Sequence, residues 1–212
     1  MNLQEEAFRA THGDLWYERN KNILGDEDRV TDAMIDYGRI RPTSVLEIGC
    51  SNGWRLKKLR DMYGCKVAGI DPSKAAIAEA TYNCVEEDGV FMVGAAQKLP
   101  FHDVSFDLVI FGFCLSMIDP EDYFLVLNEA NRVLKDGGYL IVHDLLPPRP
   151  TRADYTYASH DGQPLSIYMV DWAKFIGSHP GYLVVFEKAV VMELESVTIF
   201  VKSMKGLREL GK

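Results

Sequence analysis

The amino-acid sequence predicts an α/β fold in which a mostly parallel, doubly wound sheet ends in an antiparallel hairpin. Three observations support this prediction. Apolar segments alternate with helix-like segments from residue 44 to residue 142, which is typical of parallel sheets covered by helices on both faces. The first apolar segment runs directly into a turn that contains two glycines. Two later apolar segments, 182–186 and 196–201, are expected to pair as a hairpin at the sheet edge.

Residues 1–43 are expected to form a helical cap on the sheet. Apolar residues recur at helical spacing within 26–40, which predicts a helix there. An aspartate at position 26 or 28 can cap its start. Pro42 ends it, because the residue before a proline is pushed out of the helical conformation.

Residues 44–146 hold the alternating strands and helices of the core. Short apolar runs predict five strands, at 44–48, 66–70, 90–93, 106–111 and 139–142. Amphipathic or alanine-rich segments predict the helices between them, at 54–63, 73–85 and 121–135. The Asp-Pro-Ser sequence at 71–73 supplies a helix start signal, and the Asp-Gly-Gly sequence at 136–138 supplies a stop signal.

Residues 147–180 interrupt the alternation, because prolines and aromatic residues are concentrated there. We expect an inserted loop that forms a substrate lid, followed by a short helix at 169–176. Residues 181–212 then form the terminal hairpin. All of these segments are expected to belong to one domain that spans residues 1–212, a length that suits a single α/β domain.

The charge of the chain argues against nucleic-acid binding. The net charge is −8 and the pI is about 5.1, whereas nucleic-acid binders usually carry a basic stripe that neutralises phosphates. The one basic cluster, at positions 55, 57, 58 and 60, has the spacing of an exposed helix face. We therefore expect a small-molecule substrate, with no nucleic-acid partner.

The cysteines and the apolar segments predict a cytoplasmic protein without a metal. Cys50, Cys65, Cys84 and Cys114 form no C-x-x-C pair, and no histidine stands at zinc spacing. The N-terminus lacks the apolar region of a signal peptide. The longest apolar run is too short to cross a bilayer, which takes about 20 residues. The sequence leaves open whether the protein is a monomer or a homodimer.

The strongest local signal is the turn after the first strand together with Asp71. Glycine in such a turn lets a ligand approach the backbone, and the following helix offers free N–H groups. Asp71 stands at the end of the second strand, about 20 residues further on, where a carboxylate can accept hydrogen bonds from ribose hydroxyls. Two alternatives remain open: the turn serves packing alone, or Asp71 only caps the next helix.

Four segments in order resemble class I S-adenosylmethionine (SAM)-dependent methyltransferases. Residues 47–53 (EIGCSNG) match the E-x-G-x-G-x-G motif of that family. Residues 94–101 (GAAQKLPF), 105–109 (SFDLV) and 129–140 (EANRVLKDGGYL) resemble its later motifs. The resemblance implies a Rossmann-like fold, with SAM as cofactor and S-adenosylhomocysteine as product. Ser51 replaces the middle glycine, and Ala95 replaces an acidic residue that often contacts adenine.

The same resemblance implies roles for individual residues in binding the cofactor. It puts Glu47 and Gly49 beside the methionine part, Asp71 on the ribose, and Pro72 or Ser73 at the adenine. The N–H of Ala96 is expected to donate to the adenine ring. The implied cofactor-binding residues are Glu47, Gly49, Cys50, Ser51, Gly53, Asp71, Pro72, Ala96, Gln97, Phe113 and Cys114.

Candidate residues for the chemistry lie mainly after the fifth strand and in the lid. A base is needed only for a hydroxyl acceptor or a protonated amine. His143 is the first candidate because its unperturbed pKa of about 6.5 suits neutral pH; Asp144 and His160 are the others, and a purely structural His143 is the alternative. Trp16, Tyr17, Arg19, Tyr155 and Tyr168 are the candidate substrate contacts.

The methyl acceptor is expected to be an oxygen or nitrogen atom of a small molecule. Residues 14–20 and 144–150 resemble methyltransferases of bacterial sugar biosynthesis, which favours a sugar or nucleotide-sugar. A non-catalytic SAM-binding scaffold is the main alternative, suggested by Ser51 and Ala95. A nicotinamide-dependent oxidoreductase is the third hypothesis, but the sequence lacks a complete G-x-G-x-x-G.

Overall fold

The computed structural model describes residues 2–83, 89–160, 163–190 and 194–203. Within them lies a seven-stranded sheet with the strand order β3-β2-β1-β4-β5-β9-β8, and a separate two-stranded sheet is formed by β6 and β7. The strands are β1 (Ser44–Ile48), β2 (Lys66–Asp71), β3 (Gly89–Val93), β4 (Phe106–Gly112), β5 (Leu134–Leu145), β6 (Thr151–His160), β7 (Gln163–Met169), β8 (Tyr182–Val190) and β9 (Glu195–Lys202). β1 to β5 are parallel, and β9 is antiparallel to β5 and β8. The predicted fold class and its C-terminal hairpin are therefore confirmed.

The described helices cover both faces of the sheet and one end of it. They are α1 (Leu3–Ala7), a π-helical turn (Phe8–His12), α2 (Gly13–Asn20), α3 (Arg29–Tyr37), α4 (Trp54–Tyr63), α5 (Lys74–Asn83), α6 (Tyr123–Val133) and α7 (Trp172–Gly177). Two short 3-10 turns, Leu115–Met117 and Pro120–Asp122, follow β4. The strand order reverses between β1 and β4, and such switch points are where open α/β sheets bind ligands.

Both faces of the central strands are buried, which explains why β4 is a continuous apolar run. Val109 and Phe111 belong to the hydrophobic cluster under α6 and α7. Leu108 and Ile110 belong to the second cluster, under α3 and α4. Side chains that alternate along one strand therefore fill two cores, as parallel strands usually do.

The expectation of an irregular loop within residues 147–180 is wrong over most of that segment. β6 and β7 pair as an antiparallel hairpin, for example Thr151 with Met169 and Tyr155 with Leu165. Three of the prolines precede β6, so they do not interrupt the pairing. Aromatic and β-branched residues in both strands favour extended backbone.

Several element boundaries differ from the sequence-based predictions. β5 begins at Leu134 and α6 ends at Val133, so residues 136–138 lie inside a long strand instead of a turn. α3 is shorter than expected, and α7 begins at Trp172, where Asp171 accepts a hydrogen bond from the Lys174 N–H. The end of the helix predicted at 73–85, with Cys84, lies outside the described residues.

Replacing Phe200 with alanine is expected to lower the free energy of unfolding by ~3–5 kcal/mol. Phe200 is fully buried in β9, next to the ring of Tyr182. Urea unfolding measures the effect. Leu183→Ala, at a position that is 58% exposed, is the control and is expected to change stability by less than ~0.5 kcal/mol. Equal losses in the two variants would contradict this account of the core.

Candidate functional site

A cleft opens at the carboxyl ends of β1, β2 and β4, next to the strand-order switch point. It holds about 870 Å³ of empty space, part of it open to solvent. The sheet contributes Ile48, Ile70 and Gly112 to its wall. The N-terminal helices and the turn after β4 contribute the opposite side.

The turn after β1 brings its backbone to the cleft because Gly49 has no side chain. Gly49 has φ +75°, and a Cβ built on it would lie 2.7 Å from the Cβ of Cys114. Its N–H donates to the Ile70 carbonyl at 2.8 Å, which ties the turn to β2. Ser51 has φ +50°, so the serine adopts the left-handed conformation that a glycine would take more easily.

Asp71 holds this turn against β2 and lines the cleft. Its Oδ2 accepts from the Ser51 N–H and its Oδ1 from the Ser73 N–H, both at 2.8 Å. Burial raises the pKa of Asp71 to about 6, although the hydrogen bonds from Ser73 and Ser51 act in the opposite direction. Asp71 borders the cleft but does not cap α5, because the Ser73 hydroxyl is the group that accepts from the Ala76 N–H of the first helical turn, at 3.0 Å.

The far wall of the cleft follows β3. Gly94, Ala95, Ala96 and Gln97 line it, with Pro72 on the near side. The Gln97 side chain donates from Nε2 to Oδ2 of Asp122 at 2.9 Å, so its amide is already engaged.

Phe113 and Cys114 form the part of the wall that follows β4. Phe113 has φ +65°, and its N–H donates to the His143 carbonyl at 2.7 Å. The Cys114 thiol donates to the Ile48 carbonyl at 3.2 Å. Both residues line the cleft.

Four of the residues implied for cofactor binding are not in the cleft wall: Glu47, Cys50, Ser51 and Gly53. Glu47 is buried behind Gly112 in an ion pair with Arg55. The Cys50 side chain packs against Gly69, and Gly53 faces the ring of Phe91. These residues support the turn after β1 on the side that faces away from the cleft.

The three candidate catalytic residues are also absent from the cleft wall. His143 is buried with its Nε2 3.1 Å from Oε2 of Glu195, and burial lowers its pKa against the raising effect of that glutamate. Asp144 is buried and accepts from the N–H groups of Ser116 and Leu145; burial raises its pKa to about 6. His160 lies against His12, with ring centroids 6.2 Å apart.

Of the candidate substrate contacts, only Trp16 lines the cleft. The Tyr17 hydroxyl donates to Glu79. The Arg19 guanidinium donates to the Tyr155 hydroxyl and lies 4.7 Å from the centre of the Tyr157 ring. Tyr168 packs beside Arg152.

A large share of the wall comes from α1, the π-helical turn and α2, and most of these residues were not among the predicted site residues. Gln4, Phe8 and Arg9 line the cleft, together with Met117 and Ile118. Gln4 fixes α1 in place: Nε2 donates to the Met117 and Ser166 carbonyls at 2.8 and 2.6 Å. Gly13 is the residue in this segment that could have indicated the contact. A Cβ built on it would lie 2.9 Å from the Ser73 backbone nitrogen, so a glycine is needed where α2 approaches the end of β2.

Three further observations concern metal ligands, membrane spans and cysteines. Within residues 2–83, 89–160, 163–190 and 194–203, no group of three or more histidine, cysteine or acidic side chains could hold a metal ion. None of the helices in that described part has the length and apolar character needed to cross a bilayer. Cys50, Cys65 and Cys114 are free thiols.

Comparison with known proteins identifies the core of the chain. Residues 46–142 match the methyltransferase domain family. Demethylmenaquinone methyltransferase of Thermotoga maritima is 32% identical over 70% of this chain and 59% of its own length. The chain spans about half to three fifths of the length of the curated relatives it matches, with shares of 49%, 59% and 56%.

Solved structures share the fold at lower sequence identity. The Burkholderia thailandensis 1,6-didemethyltoxoflavin-N1-methyltransferase, solved with S-adenosylhomocysteine, superposes with a TM-score of 0.70, 17% identity and coverage of 88% of this chain and 84% of its own. A SAM-dependent methyltransferase from Methanosarcina mazei superposes with a TM-score of 0.63 at 20% identity, covering 80% of this chain and 97% of its own. The cleft described above therefore belongs to a fold that these SAM-dependent enzymes share.

Proposed function

We propose that this chain transfers the methyl group of SAM to a small-molecule acceptor, since residues 46–142 match the methyltransferase domain family. The observation that carries the proposal is a single cleft bordered by Asp71, Gly49 and Ala96. Gly49 and Ala96 belong to two of the segments that carry the family resemblance, and Asp71 stands at the end of β2 between them.

The residues in the cleft fit SAM. The Asp71 carboxylate accepts from two backbone N–H groups and has lone pairs left for the ribose hydroxyls. Gly49 lines the cleft where the methionine part would lie, and its lack of a side chain lets the Cys114 segment pack against the turn, since a Cβ would overlap Cys114. The adenine would lie between Pro72 and the 94–97 segment, with the Ala96 N–H as donor. When bound, SAM supplies a methyl group that its sulfonium already makes electrophilic.

The chain's own contribution is alignment and exclusion of water. Phe8, Trp16, Met117 and Ile118 form an apolar wall opposite the sheet, and a dry site strengthens the interactions that hold the two reactants in line. His143, Asp144 and His160 lie outside this wall. The proposed mechanism therefore uses none of them as a base that touches the acceptor directly.

The same wall favours an acceptor with an apolar or aromatic part. Arg9 is the one lysine or arginine among the described lining residues, and Glu5 lies 3.4 Å from it. A nucleotide-sugar would need more cations for its phosphates. An oxygen or nitrogen atom on a ring-bearing small molecule fits better, and the acceptor of the Thermotoga relative, demethylmenaquinone, belongs to the same apolar class.

Calorimetric titration with SAM and S-adenosylhomocysteine tests the binding half of the proposal. We expect saturable binding of one molecule per chain. Incubation of the protein with SAM and a panel of phenols, quinols and amines tests turnover through release of S-adenosylhomocysteine. Absence of binding would reject the proposal, and binding with no turnover across the panel would favour the scaffold alternative.

Cofactor affinity is expected to fall as the pH drops through about 6, where the raised pKa of Asp71 lies. The ribose hydroxyls need the carboxylate form, and protonation below that pH removes an acceptor. Each further pH unit then weakens binding by up to about tenfold. Calorimetric titrations between pH 5 and 8 measure the change in affinity. The Asp71→Asn variant is expected to lose the part of the pH dependence that comes from Asp71. Equal affinity of the wild-type protein at pH 5 and pH 8 would contradict this prediction.

A further inference from the structure

A buried ionic network lies directly behind the wall of the cleft. Arg55 on α4 donates from Nη1 to Oε1 of Glu47, and from Nε to Oδ1 of Asp28 at 3.0 Å. The side chains of Arg55, Asp28 and Glu47 are only 7%, 4% and 2% exposed. Lys58, which is 44% exposed, approaches the other Asp28 oxygen at 3.0 Å. Burial of three charges is costly, so the network needs a reason beyond stability.

Gly112 brings this network next to the cleft. Gly112 lines the cleft at the end of β4. A Cβ built on it would lie 2.4 Å from Nη1 of Arg55 and 2.7 Å from Oε1 of Glu47. The ion pair therefore lies directly against Gly112, whose backbone stands between the pair and the cleft.

One oxygen of the network has no partner among the described residues. Oε2 of Glu47 is buried and accepts no hydrogen bond, whereas Oε1 is held by Arg55. Burial raises the pKa of Glu47 to about 7, against the lowering effect of Arg55, while Asp28 and Asp71 add to the rise. An unpaired buried carboxylate oxygen costs free energy, which a nearby cation would recover.

Asp28 and Arg55 are themselves held in place by contacts with the start of α3 and with Trp54. Oδ1 of Asp28 caps α3 by accepting from the Thr31 N–H at 3.1 Å. The Arg55 guanidinium lies 4.5 Å from the centre of the Trp54 ring, and a Cβ built on Gly25 would lie 3.4 Å from Cε3 of the same side chain. The start of α3 is thus joined to the back of the cleft by a continuous set of contacts.

We propose that Arg55 and Asp28 are positioning residues that hold the Glu47 carboxylate in place for the methionine end of the cofactor. The α-ammonium group of that end is the cation that the free oxygen would balance. This inference rests on the proposed function. Neither Arg55 nor Asp28 lines the cleft, so both act through Glu47.

Two ligands separate this role from general damage to the cleft. S-adenosylhomocysteine carries the α-ammonium group, whereas 5′-methylthioadenosine has the same adenosyl and sulfur groups but lacks the amino-acid part. Arg55→Met and Asp28→Asn are expected to lower the affinity for S-adenosylhomocysteine by at least ~10-fold and to change the affinity for methylthioadenosine by less than about twofold. Asparagine keeps the ability to cap α3, so the Asp28 variant is expected to fold even where the Arg55 variant does not.

Calorimetry with both ligands decides between the outcomes. Lys57→Ala, on the exposed face of the same helix, is the control and is expected to leave both affinities unchanged. Equal weakening of both ligands, or no change in either, would overturn the inference. Failure of the wild-type protein to bind either ligand would instead reject the proposed function. Glu47→Gln is expected to reproduce the selective loss.

Discussion

Asp71→Asn is expected to lower the affinity for S-adenosylhomocysteine by about 100-fold. The carboxylate lines the cleft and uses both oxygens to hold the turn after β1 and the start of α5. In the proposed complex it also accepts from the ribose hydroxyls, and charge-assisted hydrogen bonds of this kind contribute ~1.5–3 kcal/mol each. Asparagine has one acceptor oxygen, so it cannot satisfy all of these donors. Isothermal calorimetry measures the loss.

Asp61→Asn is the matched control for that variant. Asp61 is exposed on α4 and pairs with Lys57 and Arg60, so the same chemical change there is expected to leave affinity unchanged. Thermal unfolding without ligand checks that the Asp71 variant remains folded. An affinity within about twofold of wild type in the Asp71 variant would mean that the carboxylate does not contact the ligand.

Gly49→Ala is expected to abolish measurable cofactor binding and to destabilise the fold by ~1–3 kcal/mol. The new Cβ would lie 2.7 Å from the Cβ of Cys114, at a residue with φ +75°. Either the turn after β1 or the segment after β4 has to move, and both line the cleft. Calorimetry and urea unfolding measure the two effects.

Gly64→Ala separates backbone strain from the steric overlap. Gly64 has φ +65° at the end of α4, and nothing lies within 4 Å of a Cβ built there. This control shares the left-handed backbone but not the clash, so it is expected to lose ~1 kcal/mol of stability and no affinity. If both variants bind equally well, close packing at Gly49 is not required for the site.

The parallel core could be predicted from the sequence because its strands are buried on both faces. β1, β2 and β4 are short apolar runs, and the spacing from the Gly49 turn to Asp71 marks where the first two strands end. The hairpin of β6 and β7 was missed because nearby prolines suggested an irregular loop. The pairing of these two strands depends on contacts across the hairpin that no local pattern reports.

The side-chain direction of His143 could not be read from its position after a strand. Alternation along β5 puts His143 on the face of Ile141, which belongs to the cluster under α3 and α4. There it meets Glu195, which is 52 residues away in sequence. The contribution of Gln4 and Phe8 to the cleft likewise depends on how the N-terminal helices dock, through contacts such as Gln4 with Ser166.

A crystal structure with S-adenosylhomocysteine tests the central claim most directly. The account predicts electron density for the ligand at the carboxyl ends of β1 and β2, with the ribose hydroxyls on Asp71 and the sulfur facing Phe8 and Trp16. Density for the adenosyl group anywhere else on the molecule, or an Asp71 carboxylate without contact to it, would contradict the account.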